Sequence, residues 1–112
     1  MNETEKRIAR TEALFRSVNE RIAKAAKRFD TDEATFVCEC ADQQCAERVD
    51  ATLEEYERVR SDATQFLLRP GHEDTRVERV VERADRRLAI VKKVNGAIAG
   101  MVRRLDPRAE PV

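Results

Sequence analysis

The chain has 112 residues, and its 22 Lys/Arg balance 22 Asp/Glu, so it is 39% charged with no net charge. One compact domain is expected at this length, with a thin core because aromatics make up only 4% and tryptophan is missing. The balance argues against a nucleic-acid-binding domain, which is usually net basic, and no apolar run approaches the about 20 residues of a membrane span.

The charge is unevenly placed. Residues 1–28 hold eight Lys/Arg against four Asp/Glu, residues 29–62 three against eleven, and residues 63–112 eleven against seven. Basic flanks therefore enclose an acidic middle, which predicts internal complementarity. Met1 is followed by Asn2, Glu3, Thr4 and Glu5 rather than by an apolar stretch, so a cytoplasmic protein is expected. The candidate core aromatics are Phe15, Phe29, Phe36, Phe66 and Tyr56.

Residues 3–28 lack glycine and proline and predict a long helix. Ile8, Phe15, Ile22 and Phe29 recur every seven residues, with Thr11, Val18 and Ala25 between them, an a/d-like stripe. The stripe suits a helix lying on its own domain; pairing with a second copy is the alternative, weakened by Thr11. The acidic 30–34 segment reads as a linker. Thr35–Cys38 reads as a short strand leading into a polar loop at Ala41–Gln44.

Val49, Ala51 and Leu53 alternate with polar residues as a half-buried strand does. Thr52-Leu53-Glu54-Glu55 is a capping-box pattern that predicts a helix over about 53–61, with Leu53, Tyr56 and Val59 inward. Phe66–Arg69 reads as a strand stopped by Pro70-Gly71, a turn sequence. Val77, Val80, Val81, Ala84 and Leu88 fit a helical stripe, but the clusters Val80-Val81 and Leu88–Val91 around Asp85-Arg86-Arg87 fit a hairpin better. Residues 94–105 read as a helix weakened by Gly96 and Gly100. It ends at Asp106-Pro107, and the last residues are expected to fray.

The fold expected is α+β: a long N-terminal helix, a small antiparallel sheet with a zinc-knuckle-like loop, a short helix and a C-terminal helix. Its parts are the helix 1–29, a zinc-binding module 30–93, and the helix and tail 94–112, within one compact domain.

The chemistry lies in Cys38, Cys40 and Cys45, spaced C-x-C-x4-C, and in His72, the chain's single histidine. In a reducing compartment clustered cysteines are more often metal ligands than disulfides. Three cysteines and one histidine make the closed four-ligand set of a structural Zn2+ site. A C-x-C pair is tight, and it suits one ion if Glu39 bulges outward. A water or the carboxylate of Glu39, Asp42 or Glu73 is the alternative fourth ligand. Soft sulfur donors disfavour calcium and magnesium, and an iron–sulfur cluster usually takes four cysteines. The competing reading makes the cysteines small core residues and His72 a surface turn residue.

Phe36-x-Cys38-Glu39-Cys40-x4-Cys45, Thr52-Leu53-x-Glu55-Tyr56-x3-Arg60 and Pro70-Gly71-His72-Glu73 together resemble a family of small uncharacterised bacterial proteins of actinomycete type. The likeness covers about residues 5–93. It implies that Cys38, Cys40, Cys45 and His72 act as one unit, and it implies no activity.

No catalytic motif accompanies the site: H-x-E…P-C-x-x-C, H-E-x-x-H, G-x-S-x-G and phosphate-binding glycine loops are missing. No catalytic residue is assigned, and an enzyme is the weaker reading. The arginines Arg76, Arg79, Arg83, Arg86 and Arg87 alternate with Glu78, Glu82 and Asp85, a salt-bridged face rather than a nucleic-acid surface, since no aromatics are interleaved. The function expected is a zinc-binding regulatory or protein-interaction module, with an unidentified protein partner and a possible homodimer through residues 3–28. A zinc-thiolate redox sensor and a nucleic-acid-binding regulator are the alternatives.

Overall fold

Helix α1 (Glu3–Arg28) opens on a capping box. Asn2 Oδ1 accepts the Glu5 N–H at 2.8 Å, and the Glu5 carboxylate accepts the Asn2 N–H at 3.0 Å. Acids in the first turn and Lys27 and Arg28 in the last complement the helix dipole. The computed structural model describes residues 1–109; the expected fraying concerns 110–112 in part, which lie outside them.

After α1, strands β1 (Glu33–Val37) and β2 (Arg48–Thr52) pair antiparallel, with Phe36 opposite Val49 and Ala34 opposite Ala51. Glu33 and Ala34 thus belong to a strand rather than to a linker, because β2 offers them a partner. Thr52 ends β2 and caps α2 (Leu53–Arg60) through the reciprocal Thr52–Glu55 bonds the sequence announces. Tyr56 and Val59 are buried on its inner face, with Leu53 at the edge.

Strands β3 (Gln65–Leu68), β4 (Glu78–Ala84) and β5 (Leu88–Lys93) form an antiparallel sheet in the order β3-β5-β4. Residues 77–93 are therefore a hairpin, turning at Asp85, whose φ is +54°. Helix α3 (Gly96–Arg104) is capped by Asn95. The α+β architecture matches the expectation, with the strands divided between two small sheets.

Between the sheets and helices lies the core. Phe36 and Tyr56 stack with centroids 4.5 Å apart, among Val49, Val59, Phe66, Leu67, Ile90 and, from α3, Ile98 and Val102. Phe15 and Phe29 do not join it: Phe15 is half-buried and Phe29 is 73% exposed.

The rotation of α1 differs from the sequence reading. Its buried face is centred on Ala9, Glu12, Arg16, Asn19, Ala23 and Ala26, one residue on from the apolar stripe and therefore about 100° around the helix, with Ile8 and Thr11 of the stripe buried at its edge. Each buried polar group has a partner elsewhere in the chain. Asn19 donates to Val37 O at 2.9 Å and accepts the Val37 N–H at 2.8 Å, standing in for a neighbouring strand at the free edge of β1. Arg16 donates to Gln65 O at 2.5 Å and lies 3.9 Å from the centre of the Phe66 ring. Lys93 Nζ lies 2.6 Å from the Glu12 carboxylate. Glu20 accepts the Tyr56 hydroxyl at 2.7 Å and pairs with Arg108. These partners, together with the aliphatic contacts of Ala9 and Ala23, determine which face turns inward.

Candidate metal centre

The path from β1 into the cysteine loop explains the C-x-C spacing. Cys38 N donates to Glu47 O at 3.1 Å, continuing the β1–β2 pairing past Val37. The chain then runs along the open edge of β3. Glu39 N donates to Leu67 O at 2.8 Å, and Glu39 Oε1 accepts the Leu67 N–H at 2.8 Å. In an extended segment alternate side chains share a side. Cys38 and Cys40 therefore point to one side, and Glu39 to the other.

Glu39 does not bulge outward. It is fully buried, and its second oxygen accepts Asn19 Nδ2 at 2.8 Å. Burial raises its pKa, opposed by Arg16 and the Leu67 amide. The carboxyl completes the β3 edge on the side away from the sulfurs, which is why C-x-C is not too tight here.

Two turns deliver the other members. Asp42 Oδ1 accepts the Gln44 N–H at 2.9 Å, and Cys45 N donates to Asp42 O at 3.0 Å, which folds the loop back. After β3, His72 N donates to Arg69 O at 3.1 Å across Pro70-Gly71, with Gly71 at φ +93°. Proline second and a positive φ third are the marks of a type II turn. The turn sets His72 above the thiols.

The ligand atoms of Cys38, Cys40, Cys45 and His72 all lie within 4.8 Å of one another. His72 Nδ1 is 3.7 Å from Cys38 Sγ and 3.6 Å from Cys45 Sγ. Residues from two loops 27 or more positions apart thus meet at one point, an arrangement compatible with a metal site. Cys38 and Cys40 are buried, Cys45 is half-buried and His72 is exposed.

Cys38 Sγ also receives a backbone amide, Arg69 N–H, at 3.3 Å. Amide donors favour the thiolate form, which is the form that binds metal. The Cys40 thiol is held down to about 5, first by its hydrogen bond with Cys38, then by His72 and the Asp42 amide against burial. The bond to Cys40 and burial push Cys38 up, and burial pushes Cys45 up.

The alternative carboxylates are occupied elsewhere. Glu73 accepts the Gly71 N–H at 2.8 Å and pairs with Arg83 at 3.0 Å. Asp42 serves its own loop, and Glu39 faces inward. Sequence reasoning found the four members but missed Asn19 and the inward Glu39. The alternation inherent in C-x-C was the available signal for the latter.

A cleft of about 380 Å³ opens beside Cys40 and His72, bordered by Thr4 and Arg7 of α1 and by Asp74 and Arg76. The arginine-rich hairpin behaves as a salt-bridged face: Arg83 pairs with Glu73, Arg87 with Glu55, and Glu82 with Arg58.

Compared with family models, curated proteins and solved structures, the chain matches none. Among the described residues no helix is long and apolar enough to cross a membrane.

Proposed function

We propose that the protein is a zinc-binding module whose ion is held by Cys38, Cys40, Cys45 and His72 in a closed structural site, and that it acts by presenting a surface to a protein partner. The supporting observation is the pair of sulfur–nitrogen distances, 3.6 and 3.7 Å. Bond lengths near 2.3 Å to sulfur and 2.0–2.1 Å to nitrogen, at a tetrahedral angle, place those atoms about 3.6 Å apart. Three thiols and an imidazole suit zinc far better than calcium or magnesium.

Four protein donors leave no open position for a water, so the arrangement favours a structural ion over a catalytic one. Native mass spectrometry of the purified protein is expected to find one zinc. Substituting His72→Ala is expected to weaken zinc retention in competition with a chelator, with the three thiols still binding. Unchanged stability in excess chelator, or a His72→Ala protein that retains zinc as the parent does, defeats the reading.

A redox role is the second reading, and it rests on exposure. Cys45 is half-buried and His72 exposed, on the open side of the cluster. Peroxide can convert two of the thiolates into a disulfide, itself becoming water, with zinc released. Peroxide titration with a zinc-release dye tests it; no release at low peroxide removes it.

A further inference from the structure

The exposed surface of α1 carries a consistent charge. Between residues 6 and 28 the helix contains only two acids, Glu12 and Glu20. Both are buried on the inner face. Outward stand Arg7, Arg10, Arg21, Lys24 and Arg28, none of which forms an ion pair among the described residues. Beside them lie apolar side chains near the middle of the helix that the core does not cover. Leu14 is 62% exposed and Phe15 and Val18 are half-exposed, and none belongs to the packed core.

Leu14 and Phe15 border a groove. Arg10, Thr11, Leu14 and Phe15 form one wall and Gln43 of the cysteine loop the other, enclosing about 320 Å³. Gln43 Nε2 donates to Thr11 Oγ1 at 3.3 Å, tying the loop to the helix at its floor. The loop between Cys40 and Cys45 is thus a wall of the groove as well as part of the metal cluster.

We propose that this groove is a docking site for an acidic amphipathic helix of a partner protein. The inference rests on the zinc-module reading, since the ion would fix the loop wall. An apolar groove flanked by unpaired cations suits a helix that places its apolar side chains in the groove and its carboxylates against the arginines. Charge argues against a second copy as the occupant: pairing α1 with itself would bring two uniformly basic surfaces together. A lipid surface is disfavoured by shape, because Phe15 sits against a loop instead of projecting from a convex face, as interfacial helices require.

The test uses the full-length zinc-loaded protein and a fluorescent peptide of about three heptads, with leucine at a and d and glutamate on the polar face. Saturable binding is expected, weakened about tenfold or more by Arg10→Glu with Arg21→Glu, and likewise by Phe15→Ala. The same peptide with lysine for glutamate should bind the charge-reversed variant in preference to the parent. Zinc content and thermal unfolding of each variant are measured alongside. Zinc-loaded, folded protein that ignores the acidic peptide overturns the docking inference and leaves the zinc centre standing. Preferential binding to vesicles of 30% phosphatidylserine in phosphatidylcholine, or concentration-dependent dimerisation abolished by Phe15→Ala, overturns it in favour of those occupants. A purified protein that takes up no zinc and still binds the peptide removes the zinc reading and leaves the docking inference standing.

Discussion

The position of a single backbone dihedral decides whether the imidazole joins the thiols. Gly71 holds φ at +93°, and a side chain there would meet open space, with nothing within 4 Å. A Gly71→Ala change therefore introduces no clash, and its cost is purely conformational. Placing an L-residue in that region costs about 1–2 kcal/mol. The chain can relieve it by flattening the turn, which carries His72 away from Cys38 and Cys45. Gly71→Ala is expected to lower stability by about 1–2 kcal/mol in urea unfolding and to weaken zinc binding in chelator competition. A variant that loses stability but binds zinc as tightly as the parent would show that the turn does not position the imidazole. Here residue chemistry made the sequence legible: Pro-Gly fixes a turn, and three thiols with one imidazole suggest a metal. Glu39 was misread for a physical reason. A carboxylate between two cysteines looks like solvent-facing polarity, but the unpaired amide of Leu67 and the side chain of Asn19 give it a buried role that depends on residues 20 or more positions away.

At the scale of elements, boundaries were readable and orientation was not. The capping boxes at Asn2 and Thr52 are local devices, so α1 and α2 begin where the sequence places them. The hairpin of β4 and β5 follows from local alternation around a turn. The rotation of α1, by contrast, is set by distant partners: Val37 for Asn19, Gln65 and Phe66 for Arg16, Lys93 for Glu12. An apolar stripe normally identifies the inner face, but here the polar residues win it. One consequence is testable by pH. Lys93 is a single buried cation placed between two carboxylates, Glu12 and Glu78. One charge thus faces two carboxylates. Burial pushes Glu12 up to about 8, against the pull of Lys93, and Glu78 adds repulsion. Its pKa in the folded protein is therefore above its unfolded value of about 4.3. The folded state binds this proton more tightly, so the stabilisation is complete below about pH 4.3 and is lost as pH rises through about 8. Glu12→Gln, which cannot ionise, is expected to flatten the fall in urea midpoint between pH 5 and pH 8. An identical pH profile in the variant would mean that Glu12 is ionised in the folded protein at pH 5. Lys93→Met leaves the carboxylates without their cation and is expected to cost about 3–5 kcal/mol at neutral pH.

Across the whole molecule, the segregated charges fold onto one another in part. Arg108 reaches Glu20 and Glu57, Lys27 pairs with Glu57, and Arg87 pairs with Glu55. Lys27 and Arg108 thus meet the acidic middle at Glu57, and Arg87 meets it at Glu55, while most of the α1 cations stay unpaired among the described residues. That pairing secures the end of the molecule near α2 and the chain around Asp106–Arg108. The opposite end depends on different contacts. There the β1–β2 hairpin meets the three-stranded sheet through one extended segment, Cys38–Cys40, lying on the edge of β3. Beside that join the loop 41–47 is mostly exposed. A bound ion would cross-link the segment to the Arg69–His72 turn, tying the two sheets together beside that exposed loop. Removing it should therefore act locally first. In hydrogen exchange of the zinc-loaded protein, the Cys45 and His72 amides, which close the two loop turns, should be protected along with Cys38, Glu39 and Arg69. Adding chelator should release these amides early, together with the Leu67 amide that Glu39 holds, while the Phe66, Leu68, Ala89 and Val91 amides inside the β3–β5 ladder exchange only with global unfolding. Because the ion would bind the folded form alone, the melting temperature should also rise with free zinc. Simultaneous loss of protection throughout the chain would mean that the ion supports the entire fold rather than this join. Unchanged protection at Cys38, Cys45 and His72 in chelator would mean that the four side chains meet without holding a metal.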